Sequence, residues 1–487
     1  MGGLTIDFCA QWEHNIRSCG CNDQGEREWM NLDSRRNTLV EGSIWKKLIL
    51  FALPVFFGNV FQQLYNTIDS LIVGQFLGDQ ALAAVSSSGN LIFMFVGFFN
   101  GVAMGAGVII ARYYGARDDK AMEKAIHTDV AFGLWTGVVL TVLGVVFTPT
   151  VLRWMGTPPD VLPSSISYFR LYFCGATFTV MYNIFVGILH AMGDSRNPLI
   201  YLIISSIVNV ILDLLFVAVF HMGVGSAALA TTISQGLSAL LCCIRMMRMQ
   251  GAGKLVLRKI RIDWPSLKSI IYFGLPSGIQ NSVIGLANVV VQSNINAFGT
   301  AAMAGCGAYS KLEGFAFLPI TCFAQALATF VGQNLGAHKY DRVKKGTVFG
   351  ITCSVVLAEI IGVLFYIFIP EMIAMFNGSP DAIAFGVLHS RTVCLFYCLL
   401  AFSHCVAGIM RGAGKATVPM FTMLLCWCVL RVSYITVAVR FVPQLQTVSW
   451  AYPITWAASS VIFLVYLLKA DWIHTFDRMD EKQMAKH

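Results

Sequence analysis

The sequence predicts an all-α polytopic membrane protein of about twelve transmembrane helices, in two six-helix bundles related by a parallel internal repeat. Three observations carry this. First, 56% of the residues are hydrophobic and only 12% charged, with a mean hydropathy of +0.67. A water-soluble domain carries about 25% charged residues, so most of this chain is not solvated by water. Second, apolar stretches of about 20 residues, the length a helix needs to cross ~30 Å of hydrocarbon, follow one another from residue 48 onward. Third, the chain matches itself at an offset of 221 residues. A membrane β-barrel would show segments of alternating polarity about ten residues long, and these are absent.

In chain order the spans are read as 48–76, 83–111, 125–148, 166–191, 198–219, 226–247, 269–297, 303–335, 347–369, 383–410, 416–439 and 448–468. They divide the chain into a cytoplasmic N-terminal tail (1–43), an N-terminal six-helix bundle (44–247), a basic cytoplasmic linker (248–268), a C-terminal six-helix bundle (269–468) and a cytoplasmic tail (469–487). Counting Arg245, at the inner end of its span, with the inner side, all but six of the 34 Lys and Arg residues then lie on one side. Arg153 and Arg440 fall in outer loops, and Arg170, Lys311, Arg391 and Arg431 within spans. By the positive-inside rule both termini are cytoplasmic and the protein is a multi-pass protein of the plasma membrane. The net charge of +8 therefore reflects topology and not a nucleic-acid partner. Residues 1–29 are polar and lack the apolar centre of a secretion signal; Met30, followed by a basic stretch, is read as the natural start. Cys19-Gly-Cys21, with His14 nearby, lacks the second half of a metal site. Most of the 14 cysteines sit in apolar spans as small hydrophobes.

The repeat is legible in particular residues. GILHAMGDSRNPL (187–199) falls on GIMRGAGKATVPM (408–420), Pro149 on Pro370, Pro159-Asp160 on Pro380-Asp381, Gly115-Ala116 on Gly336-Ala337, and Arg170 on Arg391. Pro54 lies 222 residues before Pro276. An offset of six spans keeps both halves in the same orientation, and two such bundles can rock about a central site, as in many transporters.

Charges at membrane depth are expensive and need a reason. Asp69 on the first span and Asp213 on the fifth each lie about 10 Å from the outer end of their helix at 1.5 Å per residue. Gln62, Asn66 and Asp69, with Tyr65 beside them, make one polar stripe; Ser205, Asn209 and Asp213 make another, and Thr231 on the sixth span lies at matching depth. Two carboxylates, an amide and a hydroxyl are hard oxygen donors suited to a small cation such as Na⁺, and the acid pair can instead carry a proton. Asp69, Asp213, Asn209 and Thr231 are thus the expected ion-coupling residues, and metal ligands only if the ion is Na⁺. Asn183, Asn281, Asn288 and Gln292, with Gln62, Tyr65 and Asn66, are the expected cavity and substrate residues. Glu313 and Arg431 are expected to form a structural ion pair. Pro54, inside the first span, is expected to let that helix take two shapes.

At these residues the chain resembles the multidrug and toxic compound extrusion (MATE) transporters, over roughly 44–468. The resemblance rests on LPVFFGNVFQQLYNTIDSLIVG (53–74), GARDDKA (115–121), NVILDLLF (209–216) with GSAALATTIS (225–234), and VGQNLGAHKYD (331–341). It implies two six-helix bundles around a central cavity and export of cationic or amphipathic compounds in exchange for H⁺ or Na⁺. By position it also implies that Asp69, Asn209, Asp213 and Thr231 form the cation site, that Pro54 is the bending proline, and that Gln62 lines the cavity. Some members carry acids on spans 7 and 10; neither span does here.

No enzyme activity and no cofactor are expected: there is no Walker-type glycine loop for ATP and no HExxH pair among the nine histidines. The alternative is a flippase for a lipid-linked precursor, which would need a strongly cationic cavity; the faces read here are acidic or neutral. Partners are therefore small cationic or amphipathic substrates and the lipid bilayer, and a monomer is expected.

Overall fold

The computed structural model describes residues 39–77, 97–98, 101–154, 161–376 and 379–484, and every regular element among them is helical. This follows from the solvent. Lipid offers no partner to a backbone N–H or C=O, so each span must close its bonds within itself. The tail reading at 1–29, with Met30 and Cys19-Gly-Cys21, lies outside the described residues.

Helix α1 (Ile44–Leu77) runs unbroken through Pro54. Of the second expected span, the described part is residues 97–98 and α2 (101–116). Then come α3 (Asp119–Trp154) and the fourth span, which is two helices, α4 (Leu162–Cys174) and α5 (Ala176–Ala191), bent by 46°. Helix α6 (Arg196–Asp213) continues through a π-helical turn, Leu214–Val219, and α7 (Gly225–Arg248) closes the N-terminal half. The C-terminal half holds α8 (Trp264–Asn296), α9 (Thr300–Gly336), α10 (Tyr340–Ala374), α11 (Pro380–Val393) and α12 (Tyr397–Gly412). After these, α13 (Thr417–Met423) runs through a π-helical stretch into α14 (Arg431–Phe441), followed by α15 (Leu445–Lys469) and α16 (Thr475–Met484). Among the described residues ten helical stretches are long and apolar enough to cross a membrane, or eleven with α4–α5 as one bent span. Helix α8 begins inside the expected linker because Asp263 caps it, accepting from the Ser266 N–H at 3.1 Å. Helix α16 was read from sequence only as tail.

The same tight turn recurs 221 residues apart. Arg117 and His338 both take left-handed backbone, φ 58° and 55°, as do Gly193 and Gly414, φ 87° and 75°. At the first pair Asp118 N–H bonds Tyr113 C=O at 3.0 Å and Lys339 N–H bonds Asn334 C=O at 2.9 Å.

The two halves meet along a seam near the linker. Glycine permits backbone-to-backbone approach there, as small residues do in membrane helix pairs. A Cβ on Gly105 would stand 2.6 Å from the carbonyl carbon of Phe273, and one on Gly278 would stand 2.8 Å from the Phe98 oxygen. Polar bonds cross the same seam: Asn59 Nδ2 to Cys322 Sγ (3.3 Å), Gln325 Nε2 to His190 Nδ1 (3.0 Å), and Gln333 Nε2 to Ala191 C=O (2.7 Å). The linker lies against α3, with Val256 N–H donating to His127 Nε2 at 3.0 Å.

Both terminal segments cross the seam. Before α1, Leu39 N–H donates to Gln333 Oε1 (2.9 Å), while the Arg342 guanidinium donates to the Leu39 and Gly42 carbonyls. After α15, Asp480 on α16 takes both its bonds from Arg112 on α2 (2.6 and 2.5 Å), and that guanidinium stacks over Phe476.

Candidate functional site

Three helices of the N-terminal half, α1, α6 and α7, turn their polar stripes toward one another. A helix brings residues four apart onto one face, so Tyr65 and Asp69 are both buried on α1, and Ser205, Asn209 and Asp213 on α6. Asp213 is 0%, Asn209 1% and Asp69 9% exposed. The Asp69 and Asp213 carboxyls are close enough to act directly on each other.

Oδ1 of Asp69, both oxygens of Asp213, and both Oδ1 and Nδ2 of Asn209 are buried without a hydrogen-bond partner. Each such atom costs about 1–3 kcal/mol, which makes the cluster unfavourable unless something supplies the missing contacts. A proton on the acid pair, or Na⁺ held by carboxylate and amide oxygens, would supply those of the oxygens, and the oxygen set suits a hard monovalent cation; Asn209 Nδ2 is a donor and needs an acceptor instead. Thr231 Oγ donates to the Ala227 carbonyl at 3.1 Å, leaving its lone pairs to accept.

The remaining expected residues fall in different places. Tyr65 accepts from Gln235 Nε2 at 3.3 Å and interacts with Gln62. Asn66 is exposed, off the acid-bearing face, its carbonyl accepting from Ser70 Oγ. Asn183, on α5, is half-buried and donates to its own helix at Thr179. In the C-terminal half Asn281 donates to the Gly97 carbonyl across the seam at 3.0 Å, so it joins the halves. Asn288 accepts from Arg431 at 3.4 Å, and exposed Gln292 donates to Asn296.

The Glu313–Arg431 pair is not formed within ion-pair distance. Glu313 accepts from Tyr309 Oη at 3.0 Å. Arg431 donates to Thr455 Oγ at 3.0 Å and lies over the Tyr452 and Trp427 rings, at 4.6 and 5.3 Å. Aromatic faces take the place of a carboxylate for this guanidinium.

Two residues near the acids escaped the sequence reading. Tyr168 on α4 is buried within electrostatic reach of both aspartates. Gln235 bonds Tyr65, and its signal was present: Thr231, Gln235 and Ser238 are spaced i, i+4, i+7 on α7.

These features define a polytopic helical membrane protein with a cluster of carboxyl and amide groups buried in its N-terminal half. The chain belongs to the MatE family of membrane transporters, whose family model matches residues 54–215 and again 276–437. Among its relatives, the probable multidrug resistance protein YoeA of Bacillus subtilis is 28% identical over 384 residues, covering 77% of this chain and 83% of that protein. The probable multidrug resistance protein NorM of Thermotoga maritima is 26% identical over 393 residues, covering 79% and 83%. A solved structure described as the outward-facing conformation of a multidrug resistance MATE family transporter superposes with a TM-score of 0.84 at 22% identity, covering 90% of this chain and 98% of that one. That likeness shows the shared fold.

Proposed function

We propose that this chain is a secondary antiporter. It exports cationic or amphipathic small molecules across the plasma membrane in exchange for H⁺ or Na⁺, by alternating access of two six-helix bundles with both termini in the cytoplasm. The carrying observation is the buried Asp69–Asp213–Asn209 cluster with its unpartnered atoms. The multidrug resistance names of the relatives support the cargo class. Two matches to one family model in a single chain, and the turns that recur at 221 residues, support the duplicated twelve-span plan.

In this reading the coupling ion binds the acid pair from the outer side. Asp69 lies ten residues beyond Asn59, the seam residue on α1 bonded to Cys322, about 15 Å at the helical rise. The seam closes the linker end while the cluster stands beyond it. Ion binding removes the mutual repulsion of the acids and lets α1 change shape at Pro54, whose missing N–H leaves a carbonyl one turn earlier free. One charge crossing 100 mV releases ~2.3 kcal/mol, which sustains a roughly 50-fold cargo gradient.

The test is efflux of a fluorescent organic cation from proteoliposomes under a pH gradient or a Na⁺ gradient, imposed separately. Asp69→Asn should lower the driven rate at least tenfold under whichever gradient drives the parent. A variant matching the parent under both gradients removes the acid pair from the mechanism.

A further inference from the structure

Below the acid pair a ladder of buried polar groups descends toward the linker end, and its members beyond that cluster, Gln235 and the Ser205–Ser238 pair, have no part yet in the proposed exchange. Contacts between the three helices fix its register. Asp69 meets Asp213 between α1 and α6, Gln235 bonds Tyr65 at 3.3 Å between α7 and α1, and Ser238 Oγ donates to Ser205 Oγ at 2.5 Å between α7 and α6. Helices α6 and α7 run in opposite directions, so one turn along each gives successive rungs. The top rung is Asp69, Asp213 and Thr231; the second is Tyr65, Asn209 and Gln235; the third is Ser205 with Ser238. One turn further, Cys242 is fully buried and within electrostatic reach of Asp194, whose carboxylate lies 3.7 Å from Arg245 at the loop.

The second rung is the informative one. Gln235 gives its N–H to Tyr65, which turns Oε1 away, and that oxygen is buried without a partner. Asn209, 1% exposed, has neither amide atom satisfied. A packed membrane interior does not strand two amides one turn below two acids without a ligand to complete them.

Resting on the antiport reading, we infer that this ladder is the route by which the coupling ion leaves the acid pair for the linker side. Gln235 Oε1 and Asn209 are its first receiving groups, and the Ser205–Ser238 hydroxyl pair follows. The ion then travels inside the N-terminal half, separate from the cargo, over about 12 Å from Asp213 to Ser205 at the helical rise. Amide and hydroxyl oxygens in line can ligate Na⁺ stepwise, or hold the water through which a proton passes from rung to rung. The titratable groups facing the path are Tyr65, Tyr168, Tyr172, Tyr182 and Cys242, with Tyr201, Asp194 and Arg245 at its mouth.

The experiment uses the full-length protein in proteoliposomes with two variants, Gln235→Leu and the double Ser205→Ala/Ser238→Ala, which leaves no hydroxyl unpaired. Asp69→Asn is assayed beside them, and Gln235→Asn tests rescue. Each variant is assayed for driven efflux of a fluorescent organic cation and for equilibrium binding of the same cation by fluorescence anisotropy. The pH and Na⁺ arms tell which ion uses the path. The ladder predicts that driven efflux falls at least tenfold in both ladder variants and recovers in part in Gln235→Asn, while cation affinity stays within about twofold. Parent-rate efflux in either ladder variant, with Asp69→Asn inactive, overturns the route and leaves the antiport reading standing. Cargo affinity lost together with efflux also overturns it, because the residues would then hold cargo or structure. Parent-rate efflux in Asp69→Asn sinks the reading beneath it instead.

Discussion

Replacing Gly105 by Ala adds one methyl at the place where the seam has no room for it. The new Cβ would stand 2.6 Å from the carbonyl carbon of Phe273 and closer still to the Gly274 backbone, where carbon atoms rest at about 3.5–4.0 Å. The obstacle is backbone, so no side chain can rotate away, and α2 and α8 must part by roughly 1 Å. Overpacking of this kind costs about 1–3 kcal/mol. The cost falls on the arrangement closed at the linker end and not on one in which these helices separate. At 1.4 kcal/mol per decade, the equilibrium should move about 5- to 150-fold toward the arrangement open there. Spin labels at exposed Lys120 and Lys345, on a background lacking reactive native cysteines, report the separation by pulsed dipolar spectroscopy. A longer-distance population should appear in Gly105→Ala and not in Gly223→Ala, where a Cβ meets nothing within 4 Å. Identical distributions in folded parent and Gly105→Ala would refute the claim that this seam is the contact that closes.

Two further outcomes are expected. Pro54→Ala restores the backbone bond that the proline denies α1, so transport should fall several-fold while membrane insertion and the melting temperature hold; an unchanged rate counts against the bending role. Asp263→Ala removes the cap of α8 and should cost about 1 kcal/mol. The Ser266 hydroxyl, and then its N–H, hold the Asp263 carboxyl below its ordinary value. A depressed carboxyl stabilises fully above the unfolded value near 3.9 and loses that contribution as pH falls through the folded one. The difference in denaturation midpoint between parent and variant should thus be flat from pH 5 to 7 and shrink below about pH 4; a difference that grows on acidification would reverse the assignment.

Spans and acids were readable for one reason: both are large free-energy statements in a hydrocarbon solvent. A run of 20 apolar residues and an aspartate in its midst each stand out in single letters, so Asp69 and Asp213 pair from the sequence alone. Gln235 stands out less, because a neutral amide among Ser, Thr and Leu costs little; its spacing with Thr231 and Ser238 marks a polar face, and its bond to Tyr65 places that face at the acids. Glu313 and Arg431 pair on charge in the sequence and do attract each other in the fold, yet their direct contacts are the hydroxyl of Tyr309 and the rings of Tyr452 and Trp427. Asn66 shared the spacing of its neighbours but fell at the margin of the stripe, where a rotation of one residue decides between inside and outside. Helix α16 stayed hidden because a short charged segment has no apolar run to announce it, and its order comes from Arg112, far away in sequence.

The two terminal segments hold each other's half like crossed arms: the stretch before α1 grips Gln333 and Arg342, and α16 grips Arg112. Letting go of one leaves the other still clasped, so parting the linker end needs both grips to yield at once. In the proposed exchange a partial parting would gain nothing, and the transition would take on an all-or-none character set by residues far from the acid cluster.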